Sequence, residues 1–346
     1  MYRKKYKNRG LLAALIVLVF MLAACSGQSE SGQTQTDTRQ SANEKAENSK
    51  TSVDPESTEE ANVTYPRTIQ DARGSVTLEQ QPKRVALAHW GLSDDLLVFE
   101  LDSIAITLPF TKNQSLLDSD IYKPYVEGKK QIEVVGENTQ VNLEALLAYD
   151  PDLIIAGSET NKDIIEQLDQ IAPTIVIDET KSDVFKEWRA TINEFGNILG
   201  QEETAQKYIS DFDGKLAEGK NKLASMDGTV AFLQIREKQA YLQGKDYITE
   251  YYEGLGLTPP STEAGELTLE GLAELDPDYL FLGYFNMEDP SLPAVSDEWE
   301  KSAVWKGLKA VRNGHVYKIN GQIAFGFGPI SKNYGVEAIV HAAQAE

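Results

Sequence analysis

Several things are scarce in this chain. Cys25 is the only cysteine in 346 residues, so no disulfide framework can staple the fold. His89, His315 and His341 are the only histidines, too few for a site that holds bare zinc or manganese through several imidazoles. The apolar run Leu11–Leu22 falls well short of the ~20 residues that cross a bilayer as a helix. Basic residues are the minority, 33 Lys and Arg against 54 Asp and Glu, for a formal charge of −21. That balance excludes nucleic acid as a partner and any broad electrostatic grip on an anionic membrane. Nucleotide and hydrolase signatures are missing too. The apolar strand-like run Val85–Ala88 leads into His89-Trp90-Gly91 and not a Gly-x-Gly-x-x-Gly turn, and there is no P-loop, Gly-x-Ser-x-Gly elbow or His-Glu-x-x-His.

What is present begins with the N-terminus. Arg3, Lys4, Lys5, Lys7 and Arg9 precede the apolar run, and Ala23 and Ala24 lead straight into Cys25, the layout of an export signal. The junction resembles the lipobox of bacterial lipoproteins, which implies that residues 1–24 are removed and Cys25 is lipidated. Residues 26–63 are almost wholly small, polar or charged and cannot bury enough apolar surface to offset their ordering entropy. Residues 25–63 are therefore expected to form a lipidated, disordered tether. Its reach is about 30–35 Å on average, by random-coil scaling.

The rest of the chain contains an internal repeat. Asn142-Leu143-Glu144-Ala145-Leu146 leads into Asp150-Pro151-Asp152-Leu153-Ile154-Ile155-Ala156-Gly157. After a constant, gapless offset, Thr268-Leu269-Glu270-Gly271-Leu272 leads into Asp276-Pro277-Asp278-Tyr279-Leu280-Phe281-Leu282-Gly283. Asn142 and Thr268 are good N-caps, and Glu144 and Glu270 fall in a first turn, where the helix dipole favours negative charge. The helix should stop before the proline. A short continuous apolar run then reads as a parallel strand buried on both faces. The Asp-Pro-Asp turns lie at the strand starts, the wrong end for a site in an open α/β sheet, and are structural.

Two such units predict an α/β fold of two similar Rossmann-like lobes with a ligand cleft between them. Arg67–Gln70 and Ser75–Leu78 read as an opening hairpin, and Thr174–Ile177 and Thr229–Ile235 as further strands. Ser93–Leu101, Lys162–Ile171 and Lys332–Ala343 carry helical spacing. Phe185, Trp188, Ile192, Phe195 and Leu199, followed by Ala205, Tyr208, Phe212 and Leu216, recur at three- and four-residue steps. This predicts a long helical spine over 182–226, broken near Gly196–Gly200, between an N-terminal lobe (64–181) and a C-terminal lobe (227–346). A stiff spine should allow closure of only a few degrees.

Lipobox, tether, paired repeat and spine together resemble the iron–siderophore solute-binding lipoproteins of ABC importers, a group that also holds ferric-citrate, haem and cobalamin binders. Gln81-Pro82-Lys83-Arg84-Val85, Gln170-Ile171-Ala172-Pro173-Thr174, Trp305-Lys306-Gly307-Leu308-Lys309-Ala310-Val311 and Asn313-Gly314-His315-Val316-Tyr317 extend the likeness over nearly all of the chain from residue 65. The resemblance implies a monomeric, non-enzymatic receptor without a resident cofactor. Tethered to the extracytoplasmic face of the membrane, on a Gram-positive surface, it would carry a ferric siderophore or ferric citrate to the permease subunits. It carries the docking glutamates onto Glu144 and Glu270.

For the ligand it points to the loops after the strand ends. Arg236 offers a planar donor fork to chelate oxygens and Tyr241 follows on the next hairpin strand. Trp90 is a candidate aromatic wall, Lys112 a second cation, and Tyr284 and Phe325 further contacts, although many relatives carry tryptophan near Phe325. Haem, held through His89 or Tyr241, or cobalamin remain alternatives within the fold. An adhesive surface lipoprotein is an alternative outside it, one that leaves the paired glutamates unexplained.

Overall fold

The computed structural model describes residues 64–286, 289 and 291–345. The signal-like segment, Cys25 and the polar tether lie outside the described residues. The described chain opens with an antiparallel hairpin, β1 (Arg67–Asp71) and β2 (Gly74–Leu78), closed by a two-residue turn.

The first large sheet has the order β6-β5-β4-β3-β7-β8. Its parallel strands are β3 (Arg84–Leu87), β4 (Ser103–Thr107), β5 (Gln131–Glu137), β7 (Leu153–Gly157) and β8 (Thr174–Ile177), and the short β6 (Gln140–Val141) pairs antiparallel at one edge. The second sheet has the order β11-β10-β9-β12-β13. In it β9 (Val230–Ile235), β12 (Tyr279–Tyr284) and β13 (Val316–Asn320) run parallel, while β10 (Ala240–Leu242) and β11 (Gly265–Glu266) fold back antiparallel. The chain thus forms the two α/β lobes that the repeat implies.

The repeat recurs at the level of single hydrogen bonds. The Asn142 side chain caps the helix Leu143–Tyr149 by accepting from the Glu144 and Ala145 amides, and Thr268 caps Leu269–Leu275 through Gly271. Asp150 (φ 56°) and Asp276 (φ 38°) end these helices in left-handed geometry, since the following proline excludes the right-handed helical well. The second aspartate of each Asp-Pro-Asp ties two strand starts together. Asp152 accepts from the Lys83 and Arg84 amides, at 2.8 and 3.0 Å, and Asp278 accepts from the Thr229 amide at 2.9 Å.

Strand residues alternate between two apolar layers although nearly all are buried. Val85 and Leu87, with Phe232 and Phe281, face a central core; Ala86 and Ala88 face an outer core of the first lobe, and Ala231, Leu233, Leu280 and Leu282 an outer core of the second. The central core also takes Trp188, Ile192, Phe195 and Leu199 from the helix Trp188–Leu199, and Ala205, Phe212 and Leu216 from Glu202–Lys222. The inner faces of both sheets therefore pack on one shared body. The spine is two helices, with the expected break at Gly200. Gly200 closes the first in the left-handed region (φ 66°), which costs a residue with a Cβ about 1–2 kcal/mol. Of the other expected helices, Ser93–Leu101 is shorter, Ser93–Leu97, and Lys332–Ala343 starts one turn earlier, Pro329–Gln344.

Gly200→Ala should accordingly lower the unfolding free energy by about 1–2 kcal/mol, measured by urea denaturation, with no change in helical circular dichroism.

Candidate ligand cleft

In each sheet the strand order reverses once, between β3 and β7 in the first lobe and between β9 and β12 in the second. In open α/β sheets, ligands bind outside the carboxyl ends of the strands at such switch points. The loops there begin at Ala88 and Ser158 in one lobe, and at Arg236 and Phe285 in the other.

On the second lobe, parity decides what faces inward. Along β9, Phe232 packs in the central core, so Gln234 and Arg236, two and four residues on, share its face. Tyr241 pairs directly opposite Gln234 and so points the same way. Along β12, Phe281 faces the central core, which puts Phe285 on that face and Tyr284 on the other. Arg236 is exposed. Its guanidinium carbon lies 4.7 Å from the Phe285 ring centroid, and its Nε and one Nη donate to the Gln234 side-chain oxygen at 2.7 and 2.6 Å once that amide is oriented to accept. Among the described residues no carboxylate pairs with Arg236. It is a braced cation with donors to spare.

On the first lobe, Trp90 is half-buried and belongs to an aromatic cluster that sequence reasoning missed. Its ring centroid lies 5.4 Å from Phe185 and 6.3 Å from Phe327, Phe185 lies 4.9 Å from Phe327, and Tyr247 lies 5.8 Å from Phe327. Trp90 comes from the β3 end, Phe185 from the segment entering the spine, and Tyr247 and Phe327 from the second lobe, so the cluster spans the boundary. A cavity of about 440 Å³ opens beside Phe185, lined also by Glu159, Glu179, Lys181 and Asp183. Lys112 is exposed in the loop after β4, at the same end of the sheet.

Two of the expected contacts lie buried. Phe325 is 5% exposed and Tyr284 7%. Phe325 sits so tightly on β12 that a Cβ at Gly283 would approach its ring to 2.2 Å. The Tyr284 hydroxyl is bonded to Ser296 at 2.9 Å inside the outer core. Phe327 and Phe285, one or two residues along, lie against Trp90 and Phe185 and against Arg236 respectively. Each lies where strand parity or the loop before Pro329 turns a side chain inward, a signal available in the sequence.

His89 is fully buried. The Gly91 amide donates to its Nδ1 at 3.1 Å, which puts the proton on Nε2, facing Glu179 at 3.1 Å. With both nitrogens used, His89 has no lone pair for iron or haem. Among the described residues no three His, Cys, Asp or Glu side chains are grouped to hold a metal, and no helix is long and apolar enough to cross a membrane. Glu179 ties the ends of β3, β7 and β8 together, accepting also from the Glu159 and Thr160 amides, both at 2.8 Å, and the Thr160 hydroxyl at 2.7 Å. A Cβ at Gly157 would lie 2.2 Å from its carboxylate, so glycine is required there. Glu144 and Glu270 are exposed in the first turns of the two repeat helices. Each of these helices runs back toward the start of the strand that follows it, so its first turn lies toward the cleft end of its lobe.

Burial pushes the Glu179 carboxyl up, but the hydrogen bonds from His89, Thr160 and the two amides outweigh it and hold the group at about 2, below its ordinary 4.5. The stability this supplies is complete above the ordinary value and disappears as pH falls toward 2. Glu179→Gln should cost about 1.5–3 kcal/mol at pH 7. Its unfolding free energy should also fall less steeply than that of the unmodified protein between pH 4.5 and 2, as followed by thermal melts across that range.

Comparison with known proteins agrees with this geometry. The family model described as "Periplasmic binding protein" matches residues 104–323. The iron(3+)-hydroxamate-binding protein FhuD of Bacillus subtilis is 28% identical over 97% of this chain and 98% of its own length. The Fe(3+)-citrate-binding protein YfmC of the same organism is 27% identical over 72% of this chain and 77% of its own. Among solved structures, a periplasmic binding protein component of a Fep/Fec-like ferrichrome ABC transporter from Bacillus subtilis superposes with a TM-score of 0.63 at 25% identity, covering 80% of this chain and 99% of its own. With its two α/β lobes, its shared core and a family match over most of its length, the chain belongs to the periplasmic binding protein family, a family of binding proteins and not of enzymes.

Proposed function

We propose that this protein is a lipid-anchored extracytoplasmic receptor that takes up a ferric siderophore between its lobes and delivers it to an ABC permease. The observation that carries this reading is a braced, carboxylate-free Arg236 at the switch point of one sheet and a four-ring aromatic cluster that starts from Trp90 at the switch point of the other. Siderophores satisfy the ferric ion themselves. Their receptor therefore needs apolar walls for the ligand backbone and a few donors for chelate oxygens, not metal ligands. Arg236 and Tyr241 supply donors on one side, Trp90 and Lys112 a wall and a cation on the other.

The local charge favours a chelate of low net charge. Arg236, Lys112 and Lys181 are exposed cations beyond the strand ends, and Glu159, Glu179 and Asp183 bring carboxylates to the same rim, so the local charge is mixed. A tris-hydroxamate complex of Fe(III) is neutral, whereas tris-catecholate complexes carry three negative charges and would have to lie beside the rim carboxylates. Support also comes from the FhuD relative, which matches this chain over nearly its whole length and is named for iron(3+)-hydroxamate binding. Lipidation of Cys25 and docking through Glu144 and Glu270 complete the proposal. Two solvent-exposed carboxylates on the two lobes suit a pair of basic sockets on a two-subunit permease.

Intrinsic fluorescence of the protein titrated with ferrichrome, ferrioxamine B, ferric enterobactin, ferric citrate, haem and cobalamin tests the ligand. Saturable quenching by a ferric hydroxamate is expected, and Arg236→Ala should weaken it tenfold or more, the loss of about 1.5–3 kcal/mol for a charge-assisted hydrogen bond. Saturation by haem or cobalamin alone would move the protein to another branch of its family, and no saturation by any of them would end the carrier reading. Glu144→Lys and Glu270→Lys should each leave chelate affinity unchanged while reducing ligand-stimulated ATP hydrolysis by the reconstituted importer tenfold or more; unaltered stimulation would remove both from docking.

A further inference from the structure

The helix Pro329–Gln344 begins without a cap of its own. Its N-cap position is Gly328, which has no side chain, and no side chain of its own segment takes that role. Pro329 has no amide hydrogen to satisfy. The next donors include the Ser331 amide, the third in the helix, which an N-cap side chain ordinarily serves. Here it donates at 3.0 Å to Asp94 Oδ2, and the Ser331 hydroxyl donates to the same oxygen at 3.0 Å. Asp94 belongs to the other lobe, in the helix Ser93–Leu97 that follows β3. Its Oδ1 accepts from the buried Tyr122 hydroxyl at 2.8 Å, and that hydroxyl in turn lies 3.3 Å from Ser331 Oγ. The approach depends on Gly328, since a Cβ there would come within 2.2 Å of Asp94 Cβ.

The position of this cross-lobe cap gives it a consequence for the cleft. Asp94 lies four residues after Trp90, and Ser331 four residues after Phe327. One polar contact between the lobes thus sits one short segment behind the aromatic contact between them. We propose that Asp94 is a positioning residue for the cleft: by capping the opposite lobe's helix it holds Phe327 against Trp90 and Phe185 in the geometry that grips ligand. This rests on the reading of the cleft as a ferric-chelate site. A merely stabilising role would not need a carboxylate in this place. No cation faces it, its neighbours being Tyr122, Ser331 and the adjacent Asp95, and an apolar pair could fill the same space without desolvating a charge. What the carboxylate adds is direction.

Two variants separate helix capping from positioning. Asp94→Gly combined with Gly328→Ser removes the clash and returns a capping hydroxyl to the helix from within its own lobe, cutting only the link between lobes. Asp94→Asn keeps an acceptor oxygen for the Ser331 amide and serves as the conservative rescue. Hydrogen exchange of the ligand-free full chain is read at residues 330–333 and at 90–97, and ferrichrome dissociation is read by stopped-flow fluorescence. The double variant should keep wild-type protection at 330–333, lose protection at 90–97, and release ferrichrome tenfold faster or more; Asp94→Asn should fall between it and wild type. Wild-type exchange at 90–97 together with wild-type ferrichrome release in the double variant would overturn the proposal, leaving Asp94 as a helix cap only. If the unmodified protein binds no ferric chelate, the functional reading fails on its own, and the exchange at 90–97 still decides whether Asp94 couples the lobes.

Discussion

Everything else in this structure depends on one apolar body shared by two sheets. The inner faces of both lobes do not each close over a private core. They pack on the same pair of helices, with Leu87 and Ile155 on one side, Phe232 and Phe281 on the other, and Trp188, Phe195 and Phe212 between. Separating or swinging the lobes by a large angle would expose that body to water, at roughly 25 cal/mol for each Å² of apolar surface. The shared body therefore opposes wide separation of the lobes, and a cleft shaped beforehand suits the proposed receptor. This limits the entropy lost on binding.

Polar groups buried at the same junction sharpen the arrangement. Trp188 donates its indole hydrogen to Glu250 at 2.8 Å, and Lys332, 1% exposed, sits 3.8 Å from the other oxygen of that carboxylate while donating to the Tyr247 carbonyl at 3.2 Å. Burial pulls the Lys332 ammonium down from its ordinary range, and the nearby Glu250 opposes this. Its ammonium also lies 5.2 Å from the Tyr247 ring centroid, so the ring that borders Phe327 is held from behind by a cation. Glu250 opens a turn of π-helix, Glu250–Gly254, a distortion frequent near functional sites. Such buried charges add little net stability, but they are directional in a way that apolar packing is not.

Much of this was legible in the sequence because the repeat has a local physical grammar. Caps, pre-proline stops and apolar strand runs need only neighbouring residues to be read, and they gave the two lobes and the positions of Glu144 and Glu270 at helix starts. That Arg236 and Tyr241 sit together at a strand end was legible because a strand run ends just before one and resumes just before the other. The aromatic cluster was not, because Trp90, Phe185, Tyr247 and Phe327 come from four separate segments and meet only in the folded chain. The burial of Tyr284 and Phe325 was not legible: strand parity turns the first to the outer core, and Gly283 lets the ring of the second sink into the sheet. The break in the spine was legible near Gly196–Gly200, and the left-handed Gly200 fixes its place.

In the proposed receptor the ferric chelate lies between the strand ends of the two lobes, gripped by Arg236 on one side and the aromatic cluster on the other. Anomalous diffraction at the iron absorption edge, from crystals of the ferrichrome complex, tests it most directly. A single iron peak in the cleft is expected, separated from every protein side chain by the siderophore's own coordination shell, with Trp90, Phe327 and Arg236 around the ligand. An iron peak outside the cleft, or one coordinated directly by a protein side chain, would contradict it.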